Sequence, residues 1–201
     1  ARLAEVGAGV VKGLVDEGAL AVRLIAPETA FDPPDLDRPG SELNPSQAAA
    51  AAALGGMLAE GGFQAALLDG VTGSGKTEVY LEAVRDALAS APDAQVLVLL
   101  PEIALTQAVI ARFAERFGAA PGEWHSDVPP PLRRRVWDGV ASGDCRIVVG
   151  ARSALFLPFR KLRLIVVDEE HDTSYKQEEG FIYQARDLAV ARAKIEGAAV
   201  I

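Results

Sequence analysis

Residues 70 to 77 read GVTGSGKT, and about a hundred residues later 165 to 172 read IVVDEEHD. The first stretch satisfies G-x-x-x-x-G-K-[ST], with an apolar run before it and an amphipathic segment after it. Its glycines, Gly70, Gly73 and Gly75, let the backbone curl so that successive N–H groups converge on phosphate oxygens. The positive end of the following helix adds to that attraction. Gly70, Val71, Thr72, Gly73, Ser74, Gly75, Lys76 and Thr77 are therefore the expected nucleotide cradle. Lys76 would reach the β- and γ-phosphates, and the Thr77 hydroxyl would ligate Mg²⁺.

The second stretch supplies the partner chemistry. Leu164–Val167 reads as a buried strand with Asp168 at its carboxyl end, where open α/β sheets hold their ligands. Asp168 is the expected second Mg²⁺ ligand, and Glu169 the group that orients or deprotonates an attacking water. Without the cradle, the same acidic patch would read as a solvated turn.

Short apolar strands alternate with helical segments around these motifs. The periodicity predicts strand 64–68, helix 76–89, strand 95–100, helices 105–117 and 131–141, strands 146–149 and 163–167, helix 184–195 and strand 198–201. Near-continuous Val, Leu and Ile strands separated by helices imply a mainly parallel sheet sandwiched by helices, an α/β P-loop NTPase lobe. Asn44 and Pro45 start an alanine-rich helix reaching about Glu60, its face supplied by Leu54, Met57 and Leu58. Upstream, residues 27–43 hold four prolines among aspartates, which places a linker there and a boundary near 43. Residues 2–18 show weak helical periodicity and Ala19–Ile25 reads as a strand; 1–26 fits either the tail of a winged-helix module or a packing appendage.

Composition narrows the class. Of 201 residues, 50% are hydrophobic and 24% charged, which suits a packed globule. A single cysteine, Cys145, excludes an internal disulfide and a cysteine-built zinc site, and reads as a small buried hydrophobe. The longest apolar runs fall far short of the roughly 20 residues that cross a bilayer, and no secretory leader is evident. A soluble, cytoplasmic protein is expected, without membrane partners. Net charge is −8, yet residues 1–43 carry four basic and eight acidic side chains, so the remainder is close to balanced and compatible with a local basic groove. Arg133, Arg134 and Arg135 read as a solvated helix face opposite Leu132, Val136, Trp137 and Val140, with Trp124 and Trp137 in the core.

Asp168-Glu169-Glu170-His171 is a DExH box, which resembles superfamily 2 helicases and translocases, whose lobes are RecA-like. LLPEIALT (99–106), WHS (124–126), VGARSALFLPF (149–159) and DEEHDTSYKQEEGFIYQARDLAVARA (168–193) narrow the resemblance to the bacterial replication-restart (primosomal protein N′) helicases, over about 43 to 201. The resemblance implies a first motor lobe that binds ATP and Mg²⁺ and works on single-stranded and forked DNA with other replication-restart and primosome proteins. It implies adenine reading by Gln47, although a helix-surface glutamine is an equal alternative. It also implies DNA contacts at Thr106, Arg152 and Ser153, and on an aromatic-rich loop through Tyr175, Lys176, Phe181 and Tyr183. In that loop Ile182 and Gln184 stand where the family commonly has Arg and His. The chain starts at Ala and stops at AAVI, which reads as an excised fragment; in the family a Ser-Ala-Thr-type motif, zinc-binding paired cysteines and a second lobe with an arginine finger follow. A non-catalytic restart scaffold is the rival function. A P-loop small-molecule kinase would need a phosphoacceptor pocket and lid that the sequence does not offer.

Overall fold

The computed structural model describes residues 8–21, 31–71 and 73–201. Thr72 and the strand expected over Ala19–Ile25 fall wholly or largely outside that range. Helix α1 (Ala8–Asp16) is followed by α2 (Pro45–Glu60), β1 (Gln64–Ala65), α3 (Lys76–Ala89), β2 (Gln95–Leu99), α4 (Gln107–Phe117), β3 (Gly122–Trp124), α5 (Pro130–Ser142), β4 (Ile147–Gly150) and β5 (Leu162–Val167). A small antiparallel ribbon, β6 (Lys176–Gln177) and β7 (Tyr183–Gln184), precedes α6 (Ala185–Glu196) and β8 (Ala199–Val200).

Six strands form one parallel sheet in the order β1-β8-β5-β2-β4-β3. Its apolar strands are continuous because both faces are covered. Val96 and Val98 of β2, Ile147 and Val149 of β4, and Leu164 and Val166 of β5 enter one core with α2, α3 and α4. Their alternates Leu97, Leu99, Val148, Ile165 and Val167 enter a second core with α5 and α6. A side-chain period of two turns an unbroken hydrophobic run into two faces, each buried. The expected RecA-like sandwich is the observed fold.

The helix starts follow from their caps. Asn44 Oδ1 accepts from Ser46 and Gln47 backbone N–H groups, and Gln47 Oε1 accepts from Asn44 N at 2.9 Å, a reciprocal capping box with Pro45 in the first turn. Thr106 caps α4, so that helix starts at Gln107 and a 3₁₀ turn occupies Glu102–Ala104. β1 is two residues long where five were expected, although Ala66 N still donates to Val200 O at 2.9 Å. β3 was not anticipated: three residues flanked by Pro121 carry too little periodicity to register, and pairing to β4 makes them a strand.

Other corrections concern burial. Val136 and Val140 of α5 are buried as expected, but Leu132 and Trp137 face solvent, Trp137 being 44% exposed, and Trp124 is half-buried. Arg133 and Arg135 are not simply solvated: their guanidinium carbons sit 5.8 Å from the Trp124 ring centroid and 4.8 Å from that of Phe31. Residues 31–43 form neither helix nor strand. They are nonetheless pinned to the lobe, since Asp35 N donates to Phe117 O at 2.8 Å, buried Arg116 donates to Arg38 O at 2.7 Å, and Leu36 and Phe31 pack on the two cores. Among the described residues no helix is long and apolar enough to cross a membrane.

Candidate functional site: a nucleotide cradle and the strand-end loops

The parallel sheet brings the carboxyl ends of β1, β5, β2, β4 and β3 to one edge, and the cradle, Asp168 and the loops after β2 and β4 follow those ends. The cradle links β1 to α3. Gly73 and Gly75 have φ of 79° and 81°, the left-handed region that glycine enters without a Cβ penalty. A Cβ on Gly75 would also stand 2.3 Å from Gln47 Nε2, because that amide donates to Ser74 O at 2.8 Å. Gln47 thus reaches from α2 onto the cradle itself, a contact compatible with its expected place beside the nucleotide base.

Lys76 Nζ donates to Gly70 O at 2.7 Å and lies 3.9 Å from Glu169 Oε1. The two motifs, almost a hundred residues apart in sequence, therefore meet. Asp168 N bonds to Leu99 O at 3.0 Å, which locks the end of β5 to the end of β2. Glu169 is the one non-glycine with positive φ among the described residues, at 50°. Left-handed backbone costs an L-residue roughly 1–2 kcal/mol, and such strain persists where surrounding structure holds it. Here the Asp168 Oδ1 to Glu169 N bond (3.0 Å) and the Asp172 N to Glu169 O bond (2.8 Å) hold the turn and aim the Glu169 carboxylate at Lys76. Glu170 points away and pairs with Arg186 of α6 at 2.8 Å.

Tyr80 was not anticipated from sequence. One turn after Thr77 on α3, its hydroxyl donates to Asp168 Oδ2 at 3.2 Å. The spacing i, i+3 on a helix that follows the cradle is the signal that could have found it. Burial, with the Asp168 charge beside it, raises the Tyr80 hydroxyl well above the ordinary tyrosine range and keeps it a donor. Burial also raises the Asp168 carboxyl, reinforced by the neighbouring Glu169 and opposed by the Tyr80 bond. A partly desolvated carboxylate such as Asp168 is a hard-oxygen group whose charge gains from a cation. Among the described residues no three His, Cys, Asp or Glu side chains gather to hold a metal without help. One carboxylate suits Mg²⁺, which ordinarily keeps waters and takes phosphate oxygens as its other ligands, with the Thr77 hydroxyl as the expected second protein oxygen. A cavity of about 390 Å³ opens over this edge, with Asp69, Gly70, Lys76, Tyr80, Asp168 and Glu169 in its wall.

The candidate DNA residues divide. Arg152 Nη1 donates to Ser174 O and to Lys176 O, both at 2.7 Å, so Arg152 ties the turn after β4 to the loop after the DEEH box. Phe156 on that same turn meets Tyr183 edge-on at 5.4 Å, and Tyr183 lies 6.1 Å from Phe181, which is 75% exposed. Lys176 is exposed and paired with Glu178 at 2.6 Å. Ser153 Oγ accepts from Trp124 Nε1 at 3.2 Å, and the Thr106 hydroxyl is spent as the α4 cap. Tyr175 is a correction: it is 1% exposed, and its hydroxyl lies 2.6 Å from Asp168 O and 3.0 Å from Leu99 O. A ring sealed in the second core offers no face to a base. It is a strut under Asp168.

A glycine cradle, an acidic strand end and an arginine-tied loop thus share one edge of a RecA-like sheet. Residues 44–197 match the DEAD/DEAH box helicase family model, and the chain belongs to that family. Among curated relatives it is 50% identical to the replication restart protein PriA of Rickettsia conorii over 135 residues, covering 67% of this chain and 20% of that protein. It is 49% identical to PriA of Haemophilus influenzae over 152 residues, covering 76% and 20%. The resemblance to replication-restart helicases is thereby borne out. The chain spans about a fifth of the length of these relatives. The crystal structure of the DUF1998 helicase MrfA aligns with a TM-score of 0.49 at 19% identity, over 80% of this chain and 26% of that one.

Proposed function

We propose that the chain is the first motor lobe of an ATP-dependent DNA helicase acting in the restart of stalled replication forks, in the cytoplasm, with single-stranded and forked DNA and other primosome proteins as partners. The observation that carries this reading is the meeting of Lys76 and Glu169 at 3.9 Å beside Asp168. In the proposed site the cradle N–H groups and Lys76 would hold the phosphates of ATP, while Thr77 and Asp168 would hold Mg²⁺. The metal would neutralise charge on the β- and γ-oxygens. Tyr80 orients the Asp168 carboxylate, and Glu169, with one oxygen 3.9 Å from Lys76 and the other 3.6 Å from His171, would position a water and take its proton. Gln47, fixed to the cradle through Ser74, faces the base.

Hydrolysis and DNA binding are coupled, in this reading, through the segment 168–176: the Tyr175 hydroxyl fastens Asp168 to the end of β2 at Leu99, and Arg152 on the turn after β4 fastens Ser174 and Lys176. A motor of this class draws an arginine finger from a second lobe, worth about 10³–10⁵ in rate, so the lobe by itself hydrolyses ATP barely. A non-catalytic scaffold would have no use for a strained Glu169 held against Lys76. The test is Glu169→Gln in the full-length protein. Calorimetric Mg·ATP binding is expected to survive while DNA-stimulated hydrolysis falls by about 10²–10⁴. Equal turnover in both proteins would remove Glu169 from the mechanism.

A further inference from the structure

Both tryptophans of the chain lie together at the outer edge of the sheet, Trp124 half-buried against the second core and Trp137 outside both cores. Trp124 ends β3 and Trp137 stands on α5, their ring centroids 6.2 Å apart and tilted by 41°. Helical periodicity puts Trp137 beside Val136 and Val140, yet only the valines are buried. Cations surround the rings. Arg133 lies over Trp124, and Arg134 projects with 85% of its side chain exposed, its ion pair to Asp138 loose at 3.7 Å and open to solvent. An exposed pair of that kind is worth at most about 1 kcal/mol, so another anion can displace it. With Pro130, these side chains line a shallow concavity of about 530 Å³. The concavity adjoins the strand-end loops, because Trp124 Nε1 donates to Ser153 Oγ on the turn after β4.

An indole face left in water at Trp137, beside a second indole and two guanidinium groups on a chain of net charge −8, matches one chemistry closely: unpaired bases joined by phosphates. A duplex would hide its base faces, and an acidic protein would engage the arginines without using the flat rings. We propose that Trp124, Trp137, Arg133 and Arg134 form a binding platform for single-stranded DNA, with a base on the open face of Trp137 and phosphates on the two arginines. This rests on the reading of the chain as a DNA motor lobe, and extends its nucleic-acid track outward from Ser153 to the β3 edge of the sheet.

Because the platform holds the only two tryptophans, intrinsic fluorescence of the 201-residue chain reports on it directly. Titration with a short oligothymidylate at low salt is expected to quench that emission. Trp137→Ala should weaken binding about five- to a hundredfold, whereas Trp137→Phe should retain most of it. Arg133→Ala with Arg134→Ala should lower the slope of log K against log salt by about 1.4, the single-strand figure for two phosphates. Should Trp137→Ala fail to fold by circular dichroism, Arg134→Glu at its exposed position carries the test, with about a tenfold loss expected. The proposal is overturned if oligothymidylate does not bind, if it binds without quenching and equally to the variants, or if polyglutamate quenches as well. Calorimetry with Mg·ATP on the same samples separates the two failures: nucleotide binding without a DNA response removes the platform alone, and its absence removes the motor reading.

Discussion

Tyr175→Phe separates a structural strut from a DNA-stacking ring. The hydroxyl bridges Asp168 O at 2.6 Å and Leu99 O at 3.0 Å in a fully buried setting. Removing it does not orphan Leu99 O, which keeps the Asp168 N–H at 3.0 Å. It does strip Asp168 O of this bond. One buried hydrogen bond lost, with an acceptor left dry, costs about 1–2 kcal/mol. At about 1.5 kcal/mol, a domain of this size melts roughly 3–6 °C lower. The assay is thermal or urea unfolding of the 201-residue chain, paired with an oligothymidylate titration. The expected result is a lower midpoint with an unchanged urea slope and unchanged DNA affinity. An unmoved midpoint together with weakened DNA binding would refute the reasoning, because it would put the ring at the DNA and not beneath Asp168.

Other outcomes follow from the same geometry. Gly75→Ala places a Cβ in left-handed backbone against Gln47, so Mg·ATP binding should be lost by calorimetry with the fold intact by circular dichroism. Arg152→Ala removes both bonds that tie the 174–176 loop to the turn after β4; in the full-length protein DNA-stimulated hydrolysis should drop at least tenfold while basal hydrolysis changes little. Asn44→Ala opens the capping box and should cost about 1 kcal/mol in unfolding free energy. Burial pushes the Cys145 thiol up to about 12, so it should resist iodoacetamide at pH 8 in the folded chain and react once urea unfolds it. The folded state then holds a proton that the unfolded state releases, so this group lowers stability as pH rises from about 8.5 towards that value.

Much of this protein was legible without coordinates. The cradle at 70–77 and the acidic end of the 163–167 strand are local patterns, and local patterns survive in sequence because backbone geometry demands glycine, lysine and carboxylate at fixed offsets. The sandwich was legible for a related reason: a strand buried on both faces reads as an unbroken apolar run. β3 and the ribbon at 176–184 were not, because two or three residues show no period and become strands only when a partner accepts their hydrogen bonds.

What only the tertiary structure decided is which face each aromatic and each arginine presents. Tyr175 and Phe181 occupy one loop and look alike in sequence, but the first closes a core over Asp168 and the second stands in solvent. Tyr80 acquires its role solely because α3 lies against the end of β5. Trp137 falls on the apolar side of α5 by periodicity, yet the second core is already filled by Val136, Val140 and Cys145 beneath it. Close packing leaves no further volume there, so the ring remains outside, beside Trp124 and among the arginines.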